Sequence, residues 1–156
     1  MGGIFVDRFM KRAVELAVQN VKEGGEPFGA VLVKDGEIVS EGVNELHKHY
    51  DISGHAELLA IRKAQEKLKT HDLSGFTMYA SGEPCPMCLT SMYMSGIETC
   101  YYAASVDDAA EVGLGGSHVI YEDLAKPKEK RRLHMEKMPI EEGQEDPMKL
   151  WQKRSS

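Results

Sequence analysis

Two short clusters carry side chains able to do chemistry. One is His55-Ala56-Glu57, and the other is Cys85 and Cys88 within Pro84-Cys85-Pro86-Met87-Cys88. Two thiolates three positions apart, joined by one imidazole, make a three-ligand set for zinc, and catalytic zinc sites leave the fourth position to water. Zn²⁺ with two thiolates and a neutral imidazole is formally neutral, so a bound water can ionise without further anionic competition, its pKa drawn towards neutrality. One zinc per chain is the expectation. A structural zinc site needs four protein ligands, and no fourth is evident here. Cys-Pro-x-Cys alone also suits a thiol–disulfide oxidoreductase, but His55 and Glu57 at a second predicted helix start weigh against that reading.

The elements around these clusters must bring them together. Apolar residues at Phe9, Met10, Ala13, Leu16, Ala17 and Val21 have helical spacing over residues 7–22, and Gly24-Gly25 ends the run. The β-branched stretch from Phe28 to Val33, the Asp35-Gly36 turn signal and Ile38 to Val43 predict a hairpin. A polar loop from Asn44 to Gly54 leads into a helix over 55–68, and strands are predicted over 76–80 and 97–104. Between those strands a helix over 87–94 starts through prolines, which suit a first helical turn. Weaker patterns predict short helices near 107–112 and 118–125, a fifth strand near 132–138 and a last helix near 146–154. Strands alternating with helices after an opening hairpin give an α/β fold, a three-layer α/β/α sandwich around a mixed five-stranded sheet. Both ligand clusters then open helices, whose positive N-terminal ends favour thiolate over thiol. Residues two apart do not share a helix face, so His55 has to precede the first helical turn while Glu57 lies inside it, with Gly54 giving the chain freedom to enter.

Composition narrows the function classes. A chain of 156 residues fits one domain spanning 1–156, and its 42% apolar and 28% charged content is ordinary for a globular protein in water. No apolar run reaches the roughly 20 residues of a membrane helix, and residues 1–7 lack the build of a signal peptide, so a cytoplasmic location is expected. The 25 acidic residues outnumber the 19 lysines and arginines, which weighs against a nucleic acid partner. Three cysteines make a poor disulfide framework and suit metal chemistry. Other polar features have plainer readings. His47 and His49 belong to a solvated loop, and His71, His118 and His134 have no ligand-spaced partner. Lys126 to Arg132 forms a solvated turn. Cys100 is a small core residue, and Met87, Met92 and Met94 pack a helix.

The paired motifs His55-Ala56-Glu57 and Pro84-Cys85-Pro86-Met87-Cys88 resemble those of the cytidine and deoxycytidylate deaminase superfamily, a signature with a known zinc-deaminase chemistry. Pro27-Phe28-Gly29-Ala30-Val31, Glu41-Gly42-Val43-Asn44 and Asp108-Ala109-Ala110-Glu111 are similar to the small bacterial guanine deaminases and, less fully, to tRNA adenosine deaminases. The resemblance implies a cytidine deaminase-like fold, with His55, Cys85 and Cys88 as zinc ligands and Glu57 as proton shuttle. It also implies that Asn44, Phe28 and Ala56 contact the base. The implied reaction is hydrolytic deamination of a small-molecule nucleobase, guanine or a related aminopurine first, with tRNA adenosine and then cytosine as alternatives. The resemblance further implies a homodimer and allows an exchanged C-terminal segment. Two departures bear on the substrate. Gly115-Gly116 stands where guanine deaminases carry an acidic pair, and the aromatic C-terminal tail of such enzymes is replaced by Lys153-Arg154-Ser155-Ser156.

Overall fold

The computed structural model describes residues 7 to 155; the opening stretch read above for a signal peptide lies, apart from Asp7, outside the described residues. By contacts the chain divides into two compact units, residues 1–122 and 123–156.

In the first unit, helix α1 (Arg8–Lys22) is capped by Asp7, whose carboxylate accepts the backbone N–H groups of Phe9 and Met10. Strands β1 (Gly29–Lys34) and β2 (Glu37–Val43) form the predicted hairpin, turning through Asp35 and Gly36, both at positive φ as a tight primed turn requires. Helix α2 (Ala56–Leu68), strand β3 (Thr77–Gly82), helix α3 (Pro86–Ser95) and strand β4 (Thr99–Ala104) follow, then two shorter helices, α4 (Val106–Glu111) and α5 (Gly116–Leu124). The sheet order is β2-β1-β3-β4; β1 runs antiparallel to β2 and to β3, while β3 and β4 are parallel. Joining two parallel strands needs a crossover, and α3 is that crossover.

Helices cover both faces. On one, Ala30, Leu32 and Met78 pack with Ala56, Ala60, Ile61 and Ala64 of α2 and Met92 of α3. On the other, buried Ala13 and Ala17 bring α1 onto β1. The approach is close on both sides. A Cβ on Gly29 would lie 2.5 Å from the Ala13 carbonyl oxygen, and one on Gly42 would lie 2.2 Å from that of Ala56. Gly42 therefore lets α2 settle onto β2 at its first turn, where the chemistry-bearing residues begin.

Among the described residues the sheet has four strands, not the expected five. Residues 132–138 form no strand: the Arg132 N–H goes to the Asp123 carboxylate, and Leu133, Met135 and Met138 are exposed. The apolar alternation there has no face to bury, so the pattern that suggested a strand is not paid out as sheet. In the same unit, a 3₁₀ turn at Lys128–Lys130 lies in the basic stretch, and helix α6 (Pro147–Ser155) forms as expected. The three α3 methionines also part company: Met92 is buried, Met87 is half-buried, and Met94 is 84% exposed, so only the first is core packing.

Candidate active site

His55 is the N-cap of α2, with extended backbone (φ −93°, ψ 149°), and Glu57 lies in the first turn of that helix. The i, i+2 pair thus avoids the geometric conflict a continuous helix would impose. Cys85 is likewise the N-cap of α3, with Pro86 in the first turn, and its sulfur accepts the Cys88 N–H at 3.5 Å. The strand-to-helix turn that carries Cys85 is held from two sides. The Glu83 N–H donates to the Ala104 carbonyl at 2.7 Å, and the Tyr121 hydroxyl donates to the Pro84 carbonyl at 2.5 Å.

The two helix starts converge. Ligand atoms of His55, Cys85 and Cys88 all lie within 4.8 Å of one another. His55 Nδ1 is 3.4 Å from Cys85 Sγ and 3.7 Å from Cys88 Sγ. Zinc bonds of about 2.3 Å to sulfur and 2.0 Å to nitrogen, set at tetrahedral angles, require an S···N separation of about 3.5 Å. The donor set and its spacing therefore fit zinc, with Nδ1 as the imidazole atom facing the sulfurs.

The electrostatics follow from packing. A hydrogen bond from the Cys88 thiol is the main cause that holds Cys85 down to about 4, with burial opposing and His55 assisting. Cys88 is pushed strongly upward by the same shared proton and by burial. His55 is raised above its ordinary value, chiefly by its contact with Cys85. Glu57 is 6% exposed. Burial pushes its carboxyl up to about 7, the negative charge of Cys85 adds to the rise, and a backbone hydrogen bond and His55 oppose it. A carboxyl balanced near neutrality can both take and give a proton.

These groups line a cavity of about 490 Å³, within the ~300–1,000 Å³ range of small-molecule sites. Phe28, Asn44 and Ala56 are on its wall, and so is the Gly113–Ser117 segment, which runs from the end of α4 into the first turn of α5. The Phe28 ring lies against Gly82, where a Cβ would come within 2.8 Å of it. Asn44 is buried, and its Oδ1 accepts the Leu46 N–H at 3.0 Å. Its side-chain nitrogen has no hydrogen-bond partner among the described residues, which leaves a donor for the cavity. A wider, more open groove along Met10, Val14 and Val18 of α1 holds none of these groups.

Sequence reasoning missed Glu26 and Glu83, which also line the cavity, and Asn20, which is buried beneath it. Glu83 Oε1 accepts the Val106 N–H at 3.0 Å and so fixes the start of α4. Single carboxylates in loops carry no periodic signal; the adjoining Pro27-Phe28-Gly29 run was the one local pointer to Glu26. Asn20 looks like an ordinary polar position on α1. His118, read as having no ligand-spaced partner, sits at the surface between the carboxylates of Asp107 at 3.1 Å and Glu122 at 3.0 Å.

Fold and site together define a zinc hydrolase built on two helix N-termini. The family model for the cytidine and deoxycytidylate deaminase zinc-binding region matches residues 5–104. The chain belongs to that family and is a zinc-dependent deaminase. It is 42% identical to the guanine deaminase of Bacillus subtilis (strain 168) over 146 residues, 93% of this chain and 92% of that one. The X-ray structure of guanine deaminase from Bacillus subtilis superposes with a TM-score of 0.87 at 40% identity, covering 96% of this chain and 95% of the other. A tRNA-specific adenosine deaminase of Aquifex aeolicus (strain VF5) is 34% identical over 137 residues, 88% of this chain and 87% of that one.

Metal uptake is linked to protons. His55 and Cys88 both hold their protons more tightly in the folded, metal-free protein than they would free in water, whereas metal ligation needs neutral imidazole and thiolate. Zinc binding is therefore expected to release protons, and apparent zinc affinity to rise with pH through neutrality. Calorimetry in buffers of different ionisation enthalpy measures the release directly; an uptake with no proton exchange contradicts this account of the site.

Proposed function

We propose that the protein is a guanine deaminase, converting guanine and water to xanthine and ammonia. The observation that carries the reading is the convergence of the His55, Cys85 and Cys88 ligand atoms beside buried Glu57, inside a cavity of small-molecule size. The choice of guanine is supported by a relative of that activity matched over 93% of the chain. The tRNA adenosine deaminase reading rests on lower identity, and an excess of acidic over basic residues disfavours RNA.

In this reading His55, Cys85 and Cys88 hold one zinc. When bound, zinc supplies Lewis acidity and a water of lowered pKa. Glu57 takes the proton of the attacking water as the C–O bond forms at C2, and passes it to the adjoining ring nitrogen. It then carries the second proton to the amine, so that the C–N bond breaks and ammonia leaves. Phe28 packs against the ring, Asn44 donates to it, and Ala56 shapes the wall between ligand and shuttle. Holding C2 within reach of water supplies much of the acceleration. Residues 1–156 act as one deaminase domain, working in the cytoplasm, where a reducing milieu keeps Cys85 and Cys88 as thiols.

We also propose a homodimer, an assembly that leaves open both an exchanged and an unexchanged C-terminal segment. β4 supports it, because it is an open sheet edge whose Tyr101 and Tyr102 are about half exposed, and such edges invite pairing.

Zinc-loaded protein offered guanine, cytosine, adenosine and an adenosine-containing anticodon stem-loop is expected to release ammonia chiefly from guanine. Glu57→Gln is expected to keep its zinc and lose at least ~10²–10⁴-fold in turnover, because the amide cannot take up a proton. Inosine formed mainly in the RNA, or a Glu57→Gln variant with near-normal turnover at full zinc occupancy, would contradict the reading. For the assembly, sedimentation equilibrium should give the mass of two 17.4 kDa chains; a single-chain mass at micromolar concentration removes the dimer.

A further inference from the structure

Three carboxylates line the cavity: Glu26, Glu57 and Glu83. Glu57 is the buried shuttle, and one oxygen of Glu83 is spent on the Val106 N–H. The Glu26 carboxylate has no hydrogen-bond or ion-pair partner among the described residues. It lines the same cavity as His55, Glu57 and Asn44.

The backbone beneath Glu26 is unusually well held. The buried Asn20 amide nitrogen donates to the carbonyl of Glu26 at 2.8 Å and to the carbonyl of Asn44 at 2.9 Å. One side chain thus ties residues 26 and 44 side by side. Asn20 is 1% exposed, and its Oδ1 has no partner, so the amide is committed to these two bonds. Gly25 permits the passage, because a Cβ there would lie 2.5 Å from the Asn20 amide nitrogen. On the other side, Ser81 Oγ accepts the Gly29 N–H at 2.9 Å and pins the strand that follows. A carboxylate on so fixed a segment, half-buried and unpaired, is preorganised for a ligand.

We propose that Glu26 is the specificity residue of the site, accepting the N1–H of guanine while Asn44 Nδ2 donates to O6. This rests on the guanine reading above. The two side chains present an acceptor and a donor from tied neighbours, which is the complement of a lactam edge, where a ring N–H adjoins a carbonyl. Adenine has the opposite pattern on that edge, an acceptor at N1 and a donor at N6. The flanking ring nitrogen, N3, remains for Glu57. Glu26 also supplies the negative charge that Gly115 and Gly116 lack, from a different wall of the same cavity. A site built around such a hydrogen bond discriminates strongly against bases without it, because its own buried polar groups are then left unpaired.

The test uses zinc-loaded protein, wild type, Glu26→Met and Glu26→Gln. Methionine keeps the length of the side chain but is uncharged and accepts only weakly; glutamine keeps a neutral acceptor. Hypoxanthine, which has the same N1–H and O6 but no amine, serves as an inert probe, with unsubstituted purine as the control that has neither. Glu26→Met is expected to weaken hypoxanthine binding by about 10–100-fold, the range for a hydrogen bond to a charged group, and to lower kcat/KM for guanine by a similar factor. Purine binding should change by less than about threefold, and Glu26→Gln should fall between wild type and Glu26→Met. Equal losses for hypoxanthine and purine, or unchanged hypoxanthine binding and guanine turnover in Glu26→Met, overturn the proposal. Wild-type protein that binds hypoxanthine through Glu26 but releases no ammonia from guanine contradicts the assigned reaction and supports the edge contact.

Discussion

Three ligand atoms from two helix entrances have to fall within 4.8 Å of one another, and the rest of the structure serves that constraint. His55 ends the loop before α2, and Cys85 ends the turn before α3. Each is an N-cap with extended backbone, so each side chain projects from the helix end and not from its flank. The sheet supplies the distance: β3 delivers the chain to Cys85, while Gly42 on β2 seats the first turn of α2. Two helix N-termini pointing at one place also concentrate partial positive charge where thiolates must be stable.

The same arrangement sets the proton chemistry. Glu57 lies in the first turn of α2 and is buried, and burial is what lifts its carboxyl into the neutral range. An exposed glutamate at the same spacing would be ionised throughout and could take a proton but rarely give one. Position along the helix thus separates the two proposed roles within three residues: His55 outside the helical turn as ligand, Glu57 inside it as acid and base. The cavity wall opposite is built on another economy, with a single buried amide, Asn20, fixing both residue 26 and residue 44.

Much of this was legible in the sequence because its signals are local. The Asp35-Gly36 turn, the helical periodicity of α1 and α2 and the spacing of the paired motifs each depend on near neighbours. The geometric argument that His55 must precede the helix follows from a 3.6-residue period alone. What was illegible depends on tertiary context. Leu133 and Met135 have the two-residue spacing of one face of a strand, yet both are exposed. Glu26 and Asn20 are single polar residues whose significance arises only when the end of α1 meets the segment after β2. Met94 has the helical spacing of a packing residue but projects into solvent, since α3 buries only part of its circumference.

The central claim is that this zinc centre has three protein ligands and an open position beside Glu57. X-ray absorption at the zinc edge tests it most directly. The account predicts two sulfur neighbours at about 2.3 Å, one nitrogen at about 2.0–2.1 Å and one further light atom exchangeable with solvent or inhibitor. A shell closed by four protein ligands, unchanged when a purine is added, would contradict it.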